Sequence, residues 1–180
     1  MIQKISKIIF LVLICLFLVV IQAYFISALP GSFRHLNLGL LVAIFSLFLF
    51  GFKSALRFVL IFGFLLDTLS FYFFGFNTLA LFSSVLVAYF VLKDWLTNKS
   101  LYSFGAATLL ATVVYNFLAA LLVYASLGFP RGAAVLGVDF WNVLLYQSAW
   151  NLGIGSVFFY LSVALFKKLK PFFLENRKMM

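Results

Sequence analysis

The chain has 180 residues, of which 66% are hydrophobic and 9% charged, and its mean hydropathy is +1.20. A soluble domain carries about a quarter charged residues, so this composition excludes one and makes the bilayer the solvent for most of the chain. A formal charge of +9 would suggest nucleic acid in a soluble protein, but here the 13 basic residues sit in the gaps between apolar runs. Basic residues so placed set orientation and meet anionic lipid at the membrane surface, and nucleic-acid binding is not expected.

Residues 1–7 and the apolar run after them look like the start of a secretory signal. The run over 8–29 exceeds the roughly 7–15 residues of a signal core, which predicts a retained first span. The single cysteine, Cys15, lies inside it, so an internal disulfide and a Cys-based metal site are excluded, and Cys15 reads as a small packing or lipid-facing residue. Pro30-Gly31-Ser32 ends this span, and residues 36–52 predict a second, just long enough to cross. After Lys53 and Arg57, the Gly75-Phe76-Asn77 segment is the best break, giving a hairpin over about 55–74 and 78–92. A polar stretch at 93–99, with Trp95 as an interfacial anchor, precedes a fifth span over 101–127. Residues 128–139 form the longest connection. The sixth span, 142–166, is stopped by Lys167, Lys168 and Lys170, and 167–180 is a basic tail on the membrane surface.

Basic residues test this six-span order. Lys4, Lys7, Lys53, Arg57, Lys93, Lys99 and the five of the tail fall on one side, Arg34 and Arg131 on the other. By the positive-inside rule both termini are cytoplasmic. The expected fold is an all-α membrane protein, one six-helix bundle forming a single domain.

A charge buried in a span costs about 3 kcal/mol or more, so it is a functional hypothesis by default. Asp67 is the one formal charge between Arg57 and Lys93. Gly63, Asp67 and Ser70, four and three apart, share a helix face. Two readings stay open: Asp67 serves an interior polar site or partner contact, or its helix unwinds early and the carboxylate caps backbone near the outer surface. In the sixth span Gln147, Asn151 and Gly155 recur at intervals of four, beside Ser148. The helical rise puts Asn151, and Asn116 of the fifth span, in the outer half near the depth of Asp67. These residues can converge on one polar cluster. The plainer alternative is interhelical hydrogen bonding, with Ala149 and Gly153 as a small-residue packing pair.

Enzyme chemistry finds little support. An intramembrane aspartyl protease needs two carboxylates sharing a proton, and only one is placed in a span. A serine nucleophile needs a positioned base, but the lone His35 lies in the first outer loop, read as solvated with an Asp139 pair as the alternative. No His, Cys, Asp and Glu cluster has metal-ligand spacing, and no glycine-rich phosphate loop follows a strand. Neither an enzyme nor a cofactor is expected.

Gly63-Phe64-Leu65-Leu66-Asp67-Thr68-Leu69-Ser70, Gly75-Phe76-Asn77-Thr78-Leu79 and Val87-Ala88-Tyr89 resemble the MreD family, the rod-shape-determining membrane proteins of bacteria. Its members commonly carry a Gly-x-x-x-Asp-x-x-Ser stretch, a glycine a few residues on, and a tyrosine toward the end of the next span. The size is similar too, as are Arg34-His35-Leu36-Asn37 before the second span and Asn151 ahead of a basic tail. Residues 128–139 have no counterpart in that pattern, and the proline common before the second span is replaced around Arg34-His35. The resemblance implies a non-enzymatic scaffold of the cell-elongation machinery, which directs lateral peptidoglycan synthesis. It would rest in the inner membrane beside the single-span MreC and, through the complex, MreB, RodA and the elongation transpeptidase. It marks Gly63, Asp67, Ser70, Gly75 and Asn151 as structural or interaction positions, to which the polar pattern adds Asn77, Asn116 and Gln147. MreD proteins are similar in fold to the substrate-binding S components of energy-coupling-factor vitamin transporters. An S component is therefore the alternative, with Asp67, Asn116 and Asn151 as its pocket, although Ala23 and Ala28 are five apart where an Ala-x-x-x-Ala docking pair is expected.

Overall fold

A computed structural model describes residues 2–70, 73–95, 100–127 and 138–175, with side chains at 6, 9–70, 73–95, 100–126 and 139–162. Among these residues the secondary structure is helical throughout. The helices are α1 (Ile2–Val20), α2 (Leu38–Phe50), α3 (Phe52–Leu69), α4 (Phe76–Asp94), α5 (Leu101–Leu127) and α6 (Val138–Glu175). A π-helical turn, Ile21–Ile26, prolongs α1, and a 3-10 turn, Gly31–His35, leads into α2. Helices satisfy every interior backbone group within the segment, as an apolar solvent demands. Three stretches, Ile9–Ile26, Phe76–Asp94 and Leu101–Ser126, are long and apolar enough to cross a membrane, and Leu38–Phe50 is apolar but shorter.

The exterior differs from that of a soluble protein: large apolar side chains are exposed around a core that is itself mostly apolar. Phe10, Phe17, Phe25 and Phe50 lie two-thirds exposed, while Asp67, Asn77, Asn116, Gln147 and Asn151 are buried. Apolar groups outside and hydrogen-bonded polar groups inside are what lipid surroundings favour.

α2 is the hub, touching all five other helices. Leu40, Leu41, Ala43, Ile44, Leu47 and Phe48 are buried there. α3 and α4 run antiparallel, as do α5 and α6: Phe52 at the start of α3 packs on Tyr89 near the end of α4, and Phe104 early in α5 meets Phe159 past the middle of α6. α1 leans mainly on α3, and Cys15 is fully buried in the shared core. Gly39 and Gly155 let helices approach closely. A Cβ on Gly39 would overlap the Phe62 ring, and one on Gly155 would lie 3.0 Å from Phe104.

Several helix limits differ from those expected. α2 is 13 residues rather than 17, because Asn37 caps it from outside and Gly51, at φ +82°, ends it. α3 stops at Leu69 instead of 74, where the Ser70 amide bonds Asp67 O at 3.4 Å. α6 begins at Val138 and continues to Glu175, past the expected stop at Lys167. Lysine is a good helix former, so basic residues mark where an apolar run ends, not where a helix does. Most of the 128–139 connection and the last five residues lie outside the described residues. Ala149 and Gly153 are not a packing pair: both are exposed, and nothing lies within 4 Å of a Cβ built on Gly153. Gly155 makes the close approach instead.

Candidate functional site

The buried polar side chains form two assemblies. The first is the α3–α4 junction. Asp67 sits two residues before the end of α3 and is 4% exposed. Its Oδ1 accepts the Asn77 amide at 2.7 Å; its Oδ2 accepts the amides of Gly75 (3.1 Å) and Thr78 (3.2 Å) and the Thr78 hydroxyl (2.6 Å). The first amides of a helix have no intrahelical acceptor, and Gly75 supplies no side-chain cap for α4. A carboxylate from the preceding helix fills that need, and its negative charge also suits the positive end of the α4 dipole.

The surrounding residues make this possible. Gly75 takes φ +97°, a left-handed conformation open to glycine without a Cβ clash, and so turns the amides of Gly75, Asn77 and Thr78 toward Asp67. Ser70 Oγ donates to Asp67 O at 3.2 Å, closing the last turn of α3. Gly63, one turn earlier on the same face, allows α4 close: a Cβ there would lie 2.8 Å from Thr78 Cα. Gly63, Asp67, Ser70, Gly75 and Asn77 thus form one fastening. Of the two readings of Asp67, the early unwinding with a backbone cap describes the geometry.

The second assembly is a seam between α2, α5 and α6. Along α5, Thr108 Oγ1 donates to Phe104 O and Thr112 Oγ1 to Thr108 O, each at 2.8 Å. Asn116 Nδ2 donates to Thr112 O (2.8 Å) and to Gln147 Oε1 on α6 (2.9 Å). One turn along α6, the fully buried Asn151 donates to Thr112 Oγ1 at 3.2 Å, and its Oδ1 accepts the Asn37 amide at 3.2 Å. Asn37 Oδ1 in turn caps α2 by accepting the Leu40 amide at 2.9 Å. Asn116, Gln147 and Asn151 therefore meet, but the expected single cluster with Asp67 does not form. The Asp67 bonds go to residues 75–78, and the junction reaches α5 through Tyr115, whose hydroxyl donates to Asn77 Oδ1 at 3.4 Å.

No buried side-chain nitrogen or oxygen among the described residues lacks a partner. Nor does any group of three His, Cys, Asp or Glu among them have the arrangement to hold a metal. His35 stacks on Tyr146, with ring centroids 6.0 Å apart, rather than pairing with Asp139. Burial, and then the Arg34 charge, hold its pKa below the usual histidine value.

Sequence reasoning missed Gln22, which lies in the π turn after α1. Its Nε2 donates to Leu36 O at 3.0 Å and its Oε1 accepts the Leu38 amide at 2.8 Å, pinning the entry to α2. A lone amide in the uncharged 8–29 run was the available signal. Thr78, Thr108 and Thr112 were also missed. No family model matches the chain, and no curated protein or solved structure matches it either.

Proposed function

We propose that the chain is a non-enzymatic scaffold subunit of the bacterial cell-elongation complex, an MreD-like protein of the inner membrane working beside an MreC-like single-span partner. In this reading six helices cross the bilayer, and both termini lie at the cytoplasmic face with the basic residues. MreB, RodA and the elongation transpeptidase join through the complex.

The observation that carries the reading is the use of the one charge buried among the described residues, Asp67. The stretch resembling the family, Gly63-x-x-x-Asp67-x-x-Ser70 followed by Gly75, is the α3–α4 fastening itself, and each of its four residues has a structural task there. A carboxylate bonded by three amides and a hydroxyl holds shape. An S component would need its amides free to meet a solute. Here Asn116 bonds Gln147, and Asn151 bonds Thr112 and the Asn37 amide across the seam, which favours the scaffold.

The test is depletion of the chain in a rod-shaped host that encodes it. Rounding of the cells, reversed by the wild-type gene, is the expected result. Unchanged shape with a lost solute uptake would overturn the scaffold in favour of the transporter subunit.

A further inference from the structure

Two grooves open on the outside of the bundle beside α1, and they differ in charge. The groove of about 520 Å³ at the Asp67 end is lined by Val12, Leu60, Phe64, Phe74 and Thr78 among others, with no charged side chain. The groove of about 350 Å³ lies between α1, α2 and α3 at the end of α3 that carries Lys53 and Arg57. Leu11, Ile14, Val42 and Phe45 give it an apolar wall, and Ser46, Ser54 and Arg57 are its polar lining.

Arg57 sits a turn and a half into α3 but bends back toward the α2–α3 corner, its Nε donating to Lys53 O at 3.2 Å and its Nη2 to Ser54 Oγ at 3.4 Å. An arginine that enters an apolar region at its stem returns its charge to the surface in this way. Lys53 lies exposed one turn earlier on the same helix. Neither cation has a carboxylate partner among the described residues. The chain has only four acidic residues, and Asp67 is committed to the opposite end of α3.

A slot of apolar side chains with one unneutralised cation, Arg57, and two serine hydroxyls in its lining, and with the exposed Lys53 one turn from Arg57, matches an amphiphile with a negative head. We infer that the α1–α2–α3 groove is a binding site for an anionic membrane phospholipid. One acyl chain lies between Leu11, Ile14 and Phe45, and the phosphate meets Arg57, Lys53 and the Ser54 hydroxyl. The volume lies within the range of small-molecule sites, roughly 300–1,000 Å³, and the guanidinium fork suits two phosphate oxygens at once. The larger groove has nothing to read a headgroup's charge. The inference rests on the bundle crossing a membrane, but not on its partners.

The test uses the full chain in nanodiscs of equal phosphatidylglycerol and phosphatidylcholine, extracted in mild detergent, with the retained lipid identified by native mass spectrometry. The anionic lipid should be retained preferentially, by roughly fivefold for each basic side chain it meets. Arg57→Gln should remove about one such factor, and Ser46→Phe, which fills the slot, should lower retention of the lipid itself. Lys93→Gln, a basic residue at the same end but outside the groove, should change neither. Equal retention of the two lipids by the wild type would overturn the site while leaving the membrane reading intact. So would a loss with Lys93→Gln as large as with Arg57→Gln. A chain that fails to enter nanodiscs of this composition would overturn the membrane reading and the site together.

Discussion

Replacing Asp67 by alanine removes the acceptor for four hydrogen bonds at once. Bonds to a charged group contribute about 1.5–3 kcal/mol each. Four such values do not add, because the bonds share one carboxylate. The two shortest, 2.7 Å to the Asn77 amide and 2.6 Å to the Thr78 hydroxyl, alone put the loss at about 3 kcal/mol or more. That exceeds the ~0.5–2 kcal/mol of an ordinary helix cap, because the amides left behind are enclosed by the bundle with little water to replace the carboxylate. The assay is reversible unfolding of the purified chain in detergent, followed by far-UV circular dichroism, for Asp67→Ala and Asp67→Asn. The asparagine should fall between alanine and wild type: its oxygen can still accept on one side, but its NH2 faces a donor on the other. A change for Asp67→Ala within the ~0.5 kcal/mol typical of neutral surface substitutions would refute the capping argument.

Four further outcomes follow from the same geometry. Gly63→Ala should destabilise by about 1–3 kcal/mol, since the backbone of Thr78 blocks the new methyl; Gly153→Ala, with open space around it, should be neutral or stabilise by up to ~1 kcal/mol through helix propensity, and paired thermal melts separate the two. Gly39→Ala should destabilise by about 1–3 kcal/mol, and Phe62→Leu should recover part of that loss, because the Phe62 ring occupies the space the methyl needs. Asn151→Ala should lower stability by about 0.6–2 kcal/mol, and Asn151→Asp should not restore it, because Thr112 Oγ1 would lose the amide donor it now accepts from. For His35, whose pKa is lowered by burial and then by Arg34, the unfolded chain binds the proton more tightly than the folded one. Stability therefore rises with pH through the window between the lowered value and the ordinary 6.5, and the full contribution is present above it; melts from pH 5 to 7.5 should show this rise, and His35→Gln should flatten it.

Each of the six apolar runs contains most of one helix, because run length and the gaps of basic residues can be read directly from the sequence. The ends were harder to read, since single bonds set them. α3 stops where Ser70 closes back on Asp67, and α2 is trimmed by the Asn37 cap and the left-handed Gly51. The Asp67 contact spans 8 to 11 residues. No helical period reveals it; it depends on the left-handed turn at Gly75. The four-residue spacing of Gln147 and Asn151 places both on one buried face, yet their partners lie elsewhere in the chain: Asn116 on α5 for Gln147, and Thr112 on α5 with the α2 cap Asn37 for Asn151. Gln22 was missed although it is the lone amide of the 8–29 run, because the π turn that aims it has no signature in apolar periodicity.

In the reading we propose, the chain is a scaffold whose polar interior holds it together for its partners. The most direct test of that reading is to purify the tagged chain from native membranes in mild detergent and to identify what accompanies it by mass spectrometry. A single-span MreC-like protein, together with a cell-wall polymerase or an actin-like MreB, is the expected result. An ATPase pair with a transmembrane coupling subunit would contradict it.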